Sequence, residues 1–215
     1  MRRSPLAVLA AASTLAFAAP AWTQAPQADV PAIGTTFVFS DGRVERVVAY
    51  EDNAIRWASR RGGEYVRAQN IALPILEWEV GGREGIRRVY GEETDFWPPQ
   101  PGKRDRFRVV TEIEAGKSIE RSIQLWTCHV GKAEEINTPA GAFSAMPVTC
   151  DRFSNATMGL IERRTWHWSP DVAHYVRREF QDLRDGARES IDLCTALPPR
   201  LANRLQIDEA AEKKC

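Results

Sequence analysis

Residues Ile75-Leu76-Glu77-Trp78-Glu79-Val80 alternate, from Leu76 onward, between apolar and acidic side chains, and two glycines follow them. Successive side chains of a β-strand point to opposite faces, so this alternation predicts a strand with one face toward a dry interior. Gly81-Gly82 can adopt the positive φ angles of a tight hairpin turn. The segment therefore predicts an antiparallel hairpin whose second strand covers residues 86–90.

The same signature recurs on both sides of this hairpin, as short runs rich in β-branched and aromatic residues between turn residues. About a dozen such runs at roughly 8–12-residue spacing are typical of all-β folds. We therefore expect a mostly β protein, built as an antiparallel curved sheet, half-barrel or sandwich with a short C-terminal helix. The helix is expected over residues 200–214, and the strands over residues 35–39, 43–50, 54–59, 64–68, 75–80, 86–90, 106–113, 118–130, 133–137, 142–153, 160–168, 172–183 and 188–193.

The N-terminus has the composition of a secretory signal peptide. Met1-Arg2-Arg3 is basic, residues 5–19 are apolar or small, and Thr23-Gln24-Ala25 offers small residues for cleavage after Ala25. The apolar run is shorter than the ~20 residues that a membrane-spanning helix needs. We expect a signal peptide (1–25), one β domain (26–197) and a helical tail (198–215). The expected location is periplasmic or secreted, in a bacterium, with no transmembrane segment after cleavage.

The charge balance argues against a nucleic-acid partner. The sequence has 29 basic and 29 acidic side chains, and two of the arginines belong to the predicted signal peptide. The mature chain would carry a net charge of −2, with both signs interspersed. Such a surface lacks the basic patch that nucleic acids or a polybasic membrane contact require.

The four cysteines predict two disulfide bonds, because an even cysteine count is typical of exported proteins. Cys128 and Cys150 are symmetric about Pro139, which lies in a turn signal, so a hairpin would place them opposite each other. Cys194 and Cys215 are then the remaining pair, and their pairing stays open because Cys215 ends the chain. No two cysteines have the C-x₂-C spacing of a zinc site, so no metal is expected.

Four tryptophans are candidate ligand-binding residues: Trp97, Trp126, Trp166 and Trp168. Trp166 and Trp168 share one face of a strand, where they could form the floor of a groove for a sugar or lipid. The alternative is that they belong to the core, since tryptophan is a large apolar residue that fits pleated surfaces. We favour the core for this pair.

No catalytic or cofactor motif stands out. The nucleophile elbow and the helical zinc motif are absent, and His129, His167 and His174 have no metal-site spacing, so they are read as surface residues. Acidic clusters at residues 92–95 and 134–135 are read as solvated turns. Arginine pairs at residues 60–61, 87–88, 163–164 and 177–178 are read as exposed edges, with one member of each pair able to face inward.

Three segments together resemble an uncharacterised family of secreted bacterial β proteins, a domain of unknown function. Residues 135–143 are similar to an E-x-x-x-PAG-x-F hairpin. Residues 165–176 resemble a strand pair that starts W-x-W-x-P, with Ala173 where glycine is usual, and residues 97–103 resemble the loop before them. The resemblance implies a curved sheet or half-barrel, similar to some lipoprotein-carrier folds, with an apolar groove.

These observations predict a non-catalytic, exported cell-envelope protein without a cofactor. Its curved sheet would bind an apolar or amphipathic, lipid-like ligand, or a partner protein of the envelope. The alternative is a periplasmic glycan hydrolase, which would need two carboxyl groups converging in one cleft, one of them with a raised pKa. A third interpretation is a structural module that assembles with other envelope proteins.

Overall fold

The computed structural model describes residues 30–60, 62–91, 96–116, 118–212 and 215. The predicted signal peptide and the acidic cluster at residues 92–95 lie outside the described residues. The described chain forms thirteen strands and one helix: β1 (Thr36–Phe39), β2 (Val44–Glu51), β3 (Ala54–Ser59), β4 (Glu64–Ala68), β5 (Ile75–Val80), β6 (Arg83–Gly91), β7 (Arg104–Ala115), β8 (Ser118–Val130), β9 (Glu134–Thr138), β10 (Gly141–Phe153), β11 (Leu160–Ser169), β12 (His174–Asp182), β13 (Arg188–Leu197) and α1 (Arg204–Glu212).

Twelve of the strands close into an antiparallel barrel. The order runs β11-β12-β13-β1 and then through β2 to β8, followed by β10, and β10 also pairs with β11. Met146–Phe153 of β10 provide this closing contact, because they pair with β8 on one side and with β11 on the other. The expectation of a half-barrel or sandwich was therefore wrong in one respect: the sheet is antiparallel and curved, but it closes.

The barrel has two ends of different character. The hairpin end carries short turns, including those at residues 41–42, 62–63 and 81–82. The loop end carries longer connections, including residues 69–74 and 96–103. Phe96 and residues 71–73 are buried there against the barrel interior. The loop end is thus closed by its own connections.

One apolar core fills the half of the barrel next to the loop end. It includes inward side chains from strands around the ring, among them Phe37, Trp57, Phe107, Trp168 and Leu193. Phe37, Trp168 and Leu193 have no exposed surface. Burial of such aromatic and aliphatic side chains is the main source of stability for the fold.

The chain leaves the ring between β8 and β10 to form a side hairpin. β9 pairs with Gly141–Ala145, the first part of β10, and its turn lies at the predicted Thr138-Pro139-Ala140-Gly141. The hairpin packs on β12 and β13, where Arg177 donates to the Asn137 carbonyl at 3.0 Å and the Ala140 amide donates to the Leu193 carbonyl at 3.1 Å. Cys128 lies opposite Cys150 in the β8–β10 ladder, and a disulfide joins them, which is the pairing that the sequence predicts.

Helix α1 packs outside the barrel beside β1. Ala211 is buried there with Val38 and Val44, and Arg60 pairs with Asp208 at 3.2 Å. A second disulfide ties Cys215 to Cys194 of β13. The helix begins at Arg204, four residues later than expected. Within the described residues, no helix combines the length and the apolar character needed to cross a membrane.

Candidate functional site

A cavity of about 460 Å³ occupies the barrel interior on the side of the hairpin end. Its walls come from β2, β3, β4, β5, β6, β8, β11 and β12, and strands from opposite parts of the ring can meet only inside it. Five arginines and one carboxylate line the cavity: Arg43, Arg67, Arg87, Arg164, Arg178 and Glu45. The interior therefore combines an apolar half with a strongly cationic half.

Strand alternation explains how three of these arginines reach the interior. Each belongs to a pair of adjacent arginines, and the first or second member points inward according to the register of its strand. Arg87, Arg164 and Arg178 line the cavity. Arg88 is exposed, Arg163 forms a two-point ion pair with Asp151 across the β10–β11 ladder, and Arg177 pairs with Asp192. In each of these three pairs one member faces inward, which the interpretation of the pairs allowed.

Aromatic rings hold the cavity arginines in place. The guanidinium of Arg87 lies 4.0 Å from the ring centre of Trp78, and that of Arg164 lies 5.4 Å from the ring centre of Trp126. Arg67 lies 5.9 Å from the ring centre of Tyr65. Such cation–π contacts fix the plane of a guanidinium while they leave its N–H edges available.

Two hydrogen bonds and the Trp78 ring fix the orientation of the Arg87 guanidinium. Its Nη1 donates to the Ile75 carbonyl at 2.9 Å, and its Nε donates to Thr111 Oγ1 at 3.3 Å. The Trp78 ring can lie under this guanidinium because its cross-strand partner is Gly85, where an added Cβ would stand 2.0 Å from the ring. These contacts position Arg87 without neutralising it.

The cavity has more positive than negative charge. Neither Arg67 nor Arg87 forms an ion pair with a described carboxylate, and Nε of Arg67 is buried without a hydrogen-bond partner among the described residues. Burial and the nearby Arg164 lower the pKa of Arg87 to about 10. Glu162 lies on β11, two residues before Arg164. Its carboxylate accepts hydrogen bonds from Nε of Arg152, at 2.7 Å, and from Nε of Arg164. Glu45 and the nearby tyrosines raise the pKa of Arg67 in spite of its burial, so Arg87 is the guanidinium that has no carboxylate close by and would bind an anion.

A buried acidic cluster closes the cavity on the β2 side. Glu45 Oε2 accepts from Nε2 of His174 at 3.0 Å and from the Tyr175 hydroxyl at 3.1 Å. Burial alone would raise the pKa of Glu45, but Arg67 and His174 outweigh it, and the pKa is lowered. Burial also lowers the pKa of His174, whose ring packs on Phe37 and Trp57. Glu45 is consequently an ionised, fully engaged acceptor.

The structure separates the four candidate tryptophans. Trp166 and Trp168 are buried in the core, as favoured for this pair, and Trp97 is half-buried with its ring edge on Trp168, at a centroid distance of 5.6 Å. Trp126 lines the arginine cavity at its boundary with the apolar core. Of the four, it is the residue that a ligand in the cavity would touch.

His129 is exposed, as its interpretation as a surface residue expects, but His167 and His174 are not surface residues. His174 is buried in the cluster just described, at the start of β12, opposite Ser169 of β11. His167 is also buried, with Glu134 and Glu179 at 3.3 and 3.4 Å from its ring nitrogens. Among the described residues, no group of three or more His, Cys, Asp or Glu side chains has the arrangement of a metal site.

The comparisons with known proteins concern the fold. No protein-family model and no curated protein matches the chain. The fold is similar to that of the hypothetical lipoprotein YmcC from Escherichia coli, with a TM-score of 0.50 and 10% identity over 76% of this chain and 84% of that chain.

Two further solved structures were found. A Bacteroides fragilis protein assigned as exported, with a YmcC-like fold, has a TM-score of 0.41 and 16% identity over 78% of this chain and 97% of its own. A protein assigned as a lipoprotein from Parabacteroides distasonis has a TM-score of 0.41 and 15% identity over 81% of this chain and 100% of its own. The likeness to YmcC, at 10% identity, concerns the fold alone.

Proposed function

We propose that the chain is an exported cell-envelope protein that binds an anionic ligand in the arginine-lined cavity and does not transform it. The observation that carries this proposal is the convergence of five guanidinium groups and one carboxylate on a cavity of about 460 Å³. Guanidinium groups bind carboxylates and phosphates through paired N–H donors. The ligand would therefore carry one or more such groups.

The energetics of the empty cavity support an anion. Burial, and in second place the like charge of Arg164, lower the pKa of Arg87, so its charged form is held at a cost in the empty cavity. A bound anion would remove the repulsion and provide acceptors for the free N–H edges. A bound anion would thus offset the excess positive charge of the cavity.

Several features support a location outside the cytoplasm. The N-terminal composition predicts export, and the two disulfides are typical of an oxidising compartment. YmcC, whose fold is similar, is described as a lipoprotein. These observations agree with an envelope protein.

The proposed ligand differs from the apolar one expected from the sequence. The apolar half of the barrel is filled by its own side chains, and arginines are five of the thirteen residues that line the space that remains. An amphipathic ligand fits only through an anionic head group. The hydrolase interpretation gains no support from Glu45, the cavity carboxylate, because its pKa is lowered whereas a general acid needs a raised one.

Titration with citrate and pyrophosphate tests the proposal. Ligands that bind only the folded state raise the midpoint of thermal unfolding. We expect both probes to stabilise the wild-type protein, and Arg87→Gln to weaken their binding by about tenfold, since a charged hydrogen bond contributes about 1.5–3 kcal/mol.

Arg88→Gln is the matched control, because it removes the same charge from the next residue on the outer face. It should bind the probes as the wild type does. Equal weakening by both variants, or no stabilisation of the wild type by either probe, would contradict a binding site in the cavity.

A further inference from the structure

The outer face of β6, β7 and β8 combines exposed arginines with exposed apolar side chains. The registers of these strands place Arg88, Tyr90, Arg104, Arg106 and Arg108 on the outer face. We call the set formed by these five residues with Ile86 and Ile123 the basic face. It is separate from the arginine cavity, because its side chains alternate with those that point inward.

The arginines of the basic face are not neutralised by the protein. Arg88, Arg104, Arg106 and Arg108 are exposed, and none forms an ion pair with a described carboxylate. Three of them follow one another at alternate positions of β7, so they form a row about 14 Å long. Arg108 also lies 5.2 Å from the ring centre of Tyr90. A row of this kind complements a surface of negative charge.

The apolar members decide between two kinds of negatively charged partner. Ile86 and Tyr90 are each 45% exposed and Ile123 is 40% exposed. Tyr90 lies opposite Arg108, and Ile86 lies between Glu77 and Glu112, two residues before Arg88. A soluble polyanion would leave these side chains in water. The head-group region of a membrane accepts aliphatic and tyrosine side chains together with arginine. The combination therefore favours a lipid surface.

The acidic residues of these strands set the limit of the face. Glu84 and Glu114 face each other near the hairpin end, and Glu112 pairs with Arg121 at 3.6 Å. Negative charge thus begins level with Ile86, and the arginines of the basic face extend from Arg88 toward the loop end. This polarity would orient the barrel on an anionic surface with its loop end nearer to the lipid.

We infer that the basic face docks the protein peripherally on a membrane surface rich in anionic phospholipid. The inference is independent of the proposed function, because it uses other side chains. The arginines provide attraction within the Debye length, about 8 Å at physiological salt. The isoleucines and the tyrosine enter the head-group region.

Co-sedimentation of the full mature chain with vesicles tests the inference. We expect binding to phosphatidylcholine vesicles that contain phosphatidylglycerol, weaker binding at high salt, and little binding to phosphatidylcholine alone. The triple variant R104Q/R106Q/R108Q should weaken the partition by about a hundredfold, at about fivefold for each arginine near an anionic surface. The matched control R46Q/R188Q/R200Q removes three exposed arginines from other surfaces and should keep most of the binding.

Two further measurements test whether vesicle binding depends on the apolar side chains of the basic face and is independent of the cavity. Tyr90→Ser with Ile123→Ser should weaken vesicle binding at unchanged net charge, whereas binding to soluble polyglutamate should not change. Arg87→Gln, inside the barrel, should bind vesicles as the wild type does. Equal losses in the two triple variants, no effect of the Tyr90 and Ile123 substitutions, or loss of vesicle binding in Arg87→Gln would overturn the inference.

Discussion

Glu45 is the residue on which the interior charges depend. It receives hydrogen bonds from His174 and Tyr175, and it lies within the field of Arg67 and Arg43. Removing one partner from a buried ionic cluster leaves the others desolvated and uncompensated, which is more costly than the net contribution of the cluster itself. The sequence around Glu45 gives no sign of this role, because an acid within an apolar strand run looks like a surface position.

We expect Glu45→Gln to lower the free energy of unfolding by about 3 kcal/mol. The direct measurement is urea denaturation at neutral pH. Glu51→Gln serves as control, since Glu51 lies on the same strand and pairs with Arg56 at the surface, where an ion pair contributes below about 1 kcal/mol.

The same cluster gives the expected pH dependence. The pKa of His174 lies below its ordinary 6.5 and that of Glu45 below its ordinary 4.5. For both groups the unfolded state binds protons first as the pH falls, so stability is highest above pH 6.5 and is lost stepwise below 6.5 and below 4.5. Glu45→Gln should reduce the loss below pH 4.5; an unchanged pH profile in this variant would contradict the assignment.

At the scale of elements, the strands were largely predictable. Runs at residues 54–59, 64–68, 75–80 and 118–130 have the predicted bounds in the structure. Their alternation and their glycine turns act locally, which is why sequence alone suffices. The same alternation contained the signal for the cavity. An adjacent arginine pair within a strand must place one side chain on each face, but the pattern does not say that Arg87, Arg164 and Arg178 point to one cavity.

Helix α1 is an element that depends on its tether. It has nine residues, and helices shorter than about 12 residues are marginal in water on their own. Its buried contact is a small cluster with Val38 and Val44. The disulfide to Cys194 therefore keeps α1 on the barrel.

We expect removal of the two disulfides to have different effects, although they close chain segments of similar length, with separations of 22 and 21 residues. C128S/C150S should lower the free energy of global unfolding by about 3 kcal/mol. C194S/C215S should release α1 by local unfolding and leave the barrel almost unchanged. Hydrogen exchange at the α1 amides, measured beside the thermal midpoint, distinguishes the two; an equal fall in midpoint for both variants would disagree with this view.

At the scale of the whole molecule, the strand pattern did not reveal that the sheet closes into a barrel. The ring is completed by β1 with β13, and by β10 with β11. Pairings between distant segments depend on the total number of strands, their tilt and their register, and none of these is encoded in a local window. A half-barrel and a closed barrel can therefore have the same alternating sequence, and the location of the cavity follows only once the ring is complete.

We expect that the barrel needs β1 to stay closed and monomeric. Removal of residues through Phe39 would leave β13 and β2 as open edges, and open edges invite pairing between molecules. This truncated chain should form oligomers in light scattering after size-exclusion chromatography. Removal of residues 198–215 together with Cys194→Ser keeps all twelve ring strands and should remain monodisperse to the same extent as the full chain; oligomers in that control as well would refute the role of β1.

The packed core on one side of Trp126 has a consequence for what the protein can hold. Because side chains fill the barrel toward the loop end, the arginine-lined space is a blind well and not a tunnel. A long polymer cannot thread through it and can insert only a terminus or a branch. The occupancy of the site would then depend on the concentration of chain ends in solution, whatever the length of each chain.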